Sequence, residues 1–137
     1  MSISMLVSFS AWMSLLNNFT IEVASFDGSQ IGILQSLREI PGFLAFTVIL
    51  VLAFVAQQKL VYLSMLLLGL GTSLTGFFPS AMGLYITTII MSLGFHYLET
   101  LNQSLSLQWL DKKKAPIILG KISAVKSFTG LLVFILI

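Results

Sequence analysis

Among the ionisable side chains inside otherwise apolar sequence, five are of types and positions that suit the handling of charge and protons: Arg38, Glu39, His96, Glu99 and Lys126. Two of them belong to a polar stripe. Thr88, Ser92, His96, Glu99, Gln103 and Ser106 follow one another at steps of four, four, three, four and three, the period of one helix face. The residues between them are mostly Leu, Ile, Met and Phe. In a chain this apolar elsewhere, the stripe is expected to line a protein interior or a wet cavity.

Glu99 and Lys126 are 27 positions apart, with a lysine-rich turn at their midpoint. An antiparallel hairpin sets them at matching depth, where they can pair. By the helical rise, Glu99 lies about 16 Å up from the end of its helix near Leu110, where an unpaired charge costs several kcal/mol. Two readings of the pair stand side by side: a switchable ion pair exposed to a translocation path, and a static bridge holding two helices. His96 is one turn from Glu99, a spacing for sharing a proton, for holding a substrate group, or for packing. One histidine and one carboxylate fall short of the three or four ligands a metal needs, so no metal site is expected. No cofactor is implied.

The second constellation is Gln35, Arg38, Glu39 and Gly42, on one face at three- and four-residue spacing. Arg38 lies on the order of 12 Å from the helix start near Gln30, too deep for a simple interfacial position, so this face should not meet lipid. Arg38 and Glu39 are neighbours in sequence and point roughly 100° apart on a helix, so each is expected to need another partner. For Arg38 that partner is an anionic substrate gripped bidentately or a carboxylate from elsewhere. Pro41 frees a backbone carbonyl one turn earlier.

The elements that must position these residues are membrane spans. The sequence is 57% hydrophobic and 9% charged, with a mean hydropathy of +1.01, far from soluble domains. A span needs about 20 apolar residues, and the polar breaks divide the chain into five: about 1–19, 31–56, 60–78, 81–110 and 117–137. The expected fold is all-α, a single partial domain forming a polytopic transmembrane helix bundle in a lipid bilayer. Phe26-Asp27-Gly28-Ser29 suits a turn and helix cap, Gln57-Gln58-Lys59 a tight polar turn, and Gly69, Gly71 and Gly76 close helix packing. Trp109 suits an interfacial anchor.

Asp111-Lys112-Lys113-Lys114 is the one strong charge run, and the bias of Lys and Arg places it in the cytoplasm. Counting spans from it puts Lys59 inside too, with the acidic loop of Glu22 and Asp27 and the loop at Pro79 outside. That agreement favours five spans and a cytoplasmic (inner or plasma) membrane. A net charge of +2 concentrated in one loop reflects orientation, which excludes a nucleic-acid footprint. The absence of cysteine excludes disulfides and thiolate chemistry. No Gly-x-Ser-x-Gly motif occurs, so a hydrolase, and enzyme activity generally, is not expected. Both ends fall in apolar sequence, which suggests a piece of a longer polytopic protein. A transporter, a non-transporting scaffold and an inactive fragment all fit.

Local sequence narrows this by resemblance. Ser29-Gln30-Ile31-Gly32-Ile33-Leu34 resembles the start of the second helix of major facilitator superfamily transporters. Leu68 to Pro79 resembles their small-residue third helix and outer turn, and Ser92-Leu93-Gly94-Phe95 their fourth-helix glycine region. Asp111 to Lys114 with Leu119-Gly120-Lys121-Ile122-Ser123-Ala124 resembles the loop and start of their fifth helix. The family's loop signature, Gly-x-Leu-Ala-Asp-Arg-x-Gly-Arg-Arg, is represented by Leu52 to Lys59 without its aspartate and glycine. Ile90 and Met91 stand where its fourth-helix arginine belongs. The resemblance implies the amino-terminal half of a divergent secondary transporter whose other half lies outside this chain. It also implies alternating access to a small-molecule substrate. Gln35, Arg38, Glu39, His96, Glu99, Gln103 and Lys126 would then line the substrate or proton pathway, with Glu99 or Glu39 carrying a coupling proton.

Overall fold

A computed structural model describes the backbone of residues 3–136 and the side chains of residue 7 and residues 9–136. Residues 1, 2 and 137, at the outer ends of the expected first and last spans, lie outside the described residues. Every regular element among the described residues is helical: α1 (Ile3–Glu22), α2 (Gly28–Phe43), a 3-10 turn (Leu44–Phe46), α3 (Thr47–Leu52), α4 (Gln57–Leu74), a second 3-10 turn (Thr75–Phe77), α5 (Ala81–Trp109) and α6 (Ala115–Leu136). Four stretches are long and apolar enough to cross a membrane, as in a multi-pass membrane protein: Gly28–Leu52, Gln57–Phe77, Ala81–Trp109 and Ala115–Leu136. The four do not include α1, whose apolar residues are interrupted by Ser10, Ser14, Asn17, Asn18 and Thr20.

Each boundary has a local cause. The Asp27 carboxylate accepts from the Gln30 amide at 2.8 Å while the Gln30 side chain accepts from the Asp27 amide at 3.0 Å, a reciprocal cap that starts α2 and consumes two otherwise orphaned donors. The expected cap at Phe26 to Ser29 is therefore found. The second span is not one rod. Pro41 cannot donate to the carbonyl of Leu37, and three residues on the helix tightens into the Leu44–Phe46 turn. The Thr47 hydroxyl donates to the Leu44 carbonyl at 2.6 Å, a carbonyl that the Thr47 amide also approaches, and α3 restarts there. Gln57, Gln58 and Lys59, expected as a turn, form instead the first turn of α4. The reversal occupies Ala53 to Ala56, so the polar residues supply the helix end. At the other hairpin Asp111 accepts from the Lys113 amide at 2.8 Å and its carbonyl accepts from Lys114 and Ala115, launching α6 with Pro116 in a first turn that has no use for its missing donor.

The centre of the bundle is α5, packed along α4 on one side and α2 on another, while α6 lies along α1. The α4–α5 contact is made backbone to backbone. A Cβ on Gly71 would sit 2.4 Å from the Met91 nitrogen, and one on Gly94 would sit 2.4 Å from the Leu68 nitrogen. Gly69 and Gly76 face open space, so of the three glycines expected to smooth this helix only Gly71 does so. Two apolar clusters flank the seam: Leu16, Phe26, Leu34 and Leu84 at one end, Val48, Leu60 and Leu101 at the other.

Candidate functional site

The polar stripe of α5 changes character along its length. Thr88 and Ser92 are fully buried, and the Ser92 hydroxyl donates to the Arg38 carbonyl on α2, just beyond the turn that Pro41 disturbs. His96 and Glu99 are half-buried, and Gln103 is exposed. The stripe therefore begins sealed between α5 and α2 and ends on a cavity.

That cavity, of about 450 Å³, lies between the second half of α5 and the first half of α6. Glu99, Asn102, Gln103, Ser106 and Leu107 form one wall, and Leu119, Lys121, Ile122, Ser123, Val125 and Lys126 the other. At its deep end the Lys126 ammonium meets Glu99 Oε1 at 2.6 Å, the pairing that the hairpin register predicts. Gln103, one turn below, reaches the same oxygen at 3.5 Å. The other carboxylate oxygen, Oε2, is buried and has no partner among the described residues.

Arg38 and Glu39 come together elsewhere, in a smaller cavity of about 160 Å³ bounded by Phe9, Met13, Met91, Ser92, Phe95 and His96. Contrary to the expectation that they could not satisfy each other, both Nε and Nη2 of Arg38 approach Glu39 Oε1, at 3.0 and 2.9 Å. A 100° offset separates the Cβ directions, but the arginine stem is long enough to curl back across it. The remaining guanidinium arm donates to the Met13 thioether at 3.1 Å, a contact that makes α1 part of this site.

Two further candidates separate from the groups expected beside them. His96 lies over Gly42 of α2 and lines the Arg38 cavity, whereas Glu99 faces α6. A three-residue step leaves about 60° of rotation between them, enough at the centre of a bundle for different neighbours. Gln35 donates to Asn17 at 3.2 Å, joining α2 to α1 apart from both cavities. The seven candidates thus divide: Arg38, Glu39 and His96 around the small cavity, Glu99, Gln103 and Lys126 around the large one, and Gln35 outside both.

Asn102, Ser106, Lys121 and Ser123 line the large cavity beside the expected residues. A signal for some of them was present, because Asn102 and Ser123, like Glu99 and Lys126, are equidistant from the midpoint of the lysine-rich turn. Nothing in sequence marks Met13 as a partner for arginine. Among the described residues no group of three or more His, Asp or Glu side chains could hold a metal. No family model, curated protein or solved structure matches the chain.

Proposed function

We propose that this chain is part of a secondary active transporter that moves a small solute by alternating access, with helices arranged as in the amino-terminal half of a major facilitator. The observation that carries this reading is the Glu99–Lys126 ion pair on the wall of an open cavity. A bridge whose sole task is to tie two helices is best closed off by side chains, since water weakens it. Here the pair borders a space large enough for a small solute, and one carboxylate oxygen is left over to take a proton. In this reading α1 is a fifth span and the loops at Lys59 and Lys112 to Lys114 face the cytoplasm. Glu99 or Glu39 carries the coupling proton, and Arg38, Glu39 and His96 form a second polar station on the pathway.

The test is uptake or resistance in a transport-deficient host expressing the intact gene, beside Arg38→Ala and Glu99→Gln at matched membrane levels. Transport abolished in both variants is the expected result, with any residual uptake by Glu99→Gln independent of pH. Wild-type uptake by both inserted variants would overturn the reading. It would favour a membrane scaffold, to which the largely uncovered surface of α6 is suited.

A further inference from the structure

We propose that the α5–α6 cavity is a binding site for an amphipathic organic monoanion, whose carboxylate or phosphodiester head is held by Lys121 and Lys126 and whose apolar body lies along Leu107, Leu119, Ile122 and Val125. This deepens the transporter reading by naming the class of solute.

Charge decides the sign. The cavity is lined by one acid, Glu99, and two bases, Lys121 and Lys126. Glu99 and Lys126 neutralise each other at 2.6 Å. Lys121 has no carboxylate within ion-pair distance among the described residues, so the cavity carries one uncompensated positive charge. A cation or a dianion would leave it unbalanced, while a monoanion brings it to neutrality.

Donors and apolar surface complete the fit. The side chains of Asn102, Ser106 and Ser123 line the same space and make no hydrogen bond to another described residue, which leaves an amide and two hydroxyls to bind oxygen atoms of a head group. Four aliphatic side chains supply the remainder, so an apolar substituent gains contact that a bare inorganic anion does not. The cavity begins at mid-depth beside Glu99 and extends toward the lysine-rich turn, whose Lys112, Lys113 and Lys114 raise the local concentration of anions.

The probe is radiolabelled octanoate, measured by equilibrium dialysis against the chain in phosphatidylcholine nanodiscs, with octylamine as the cationic control. Saturable octanoate binding is expected, weakened about tenfold in Lys121→Gln through loss of one charged contact, with no saturable octylamine binding. Lys121 has no ion-pair partner among the described residues, so this variant should keep its helical circular dichroism, and Ser123→Ala gives a second, milder loss. Replacing the lipid with phosphatidylglycerol distinguishes sources. Suppressed octanoate binding identifies a lipid phosphate as the resident ligand, and unchanged binding a soluble organic anion. Absence of saturable octanoate binding, equal binding by Lys121→Gln, or equal binding of octylamine would overturn the proposal. Saturable binding without uptake would sink only the transporter reading, and uptake of uncharged solutes without octanoate binding only the anion.

Discussion

The imidazole of His96 lies directly above Gly42, so close that a methyl group on that glycine would fall 2.9 Å from Cε1 and 3.1 Å from Nε2. The contact joins the middle of α5 to the turn after Pro41, and it gives the lone histidine of the sequence a packing role beside any it has in the cavity. Gly42→Ala should lower stability by about 1–2 kcal/mol through overpacking. In the double variant with His96→Ala most of that loss should disappear, since the clash needs both side chains. Thermal unfolding of the four members of the cycle in detergent measures this coupling, and additive losses would show that the ring moves aside freely.

Gly71 and Gly69 offer a sharper contrast within one helix. Alanine at Gly71 would drive a methyl into the Met91 backbone, which cannot rotate away as a side chain can. A loss of more than about 2 kcal/mol is expected. Alanine at Gly69 meets nothing and should stay within about 0.5 kcal/mol of the parent. Unfolding midpoints of the two variants under the same conditions decide it.

For Glu99 and Lys126, removing one partner leaves a charge in a half-buried place. Lys126→Met should cost about 2 kcal/mol, and exchanging the two residues as Glu99→Lys with Lys126→Glu should recover at least half of that. Chemical unfolding monitored by helicity gives both numbers. A swap no more stable than the single variant would mean that the surrounding groups, rather than the pair itself, fix the orientation of the charges.

The 2.6 Å bond between the Tyr97 hydroxyl and Thr47 fastens the short helix α3 to α5. Tyr97→Phe keeps the ring and removes the bond, at a cost of about 1 kcal/mol. The loss should be local, seen as faster amide hydrogen exchange over Thr47–Leu52 with little change in α4.

Much of this arrangement was written in patterns that depend on one helix or one hairpin. The cap at Asp27 and the meeting of Glu99 with Lys126 follow from spacing alone, because a short turn fixes the register of the helices it joins. What escaped was settled by third parties. The curl of Arg38 toward Glu39 depends on Met13 arriving from α1 to occupy the other guanidinium arm. The separation of His96 from Glu99 depends on where α2 and α6 stand around α5. Nor does periodicity disclose that the second span breaks at Leu44, because the residues there remain as apolar as a continuous span requires. The sequence did carry the cause, Pro41-Gly42, but not whether the chain would bend through it or stop.

The two glycine notches have a mechanical consequence. With the Leu68 backbone seated at Gly94 and the Met91 backbone seated at Gly71, α4 and α5 are keyed to each other at two heights. Neither can slide along the other without lifting out of both seats, so they move as one rigid body. Among the described residues no such key joins α5 to α6, which meet there across a cavity and through one ion pair. Parting α5 from α6 therefore disturbs less than parting α5 from α4, and the Glu99–Lys126 contact acts as the latch across that gap.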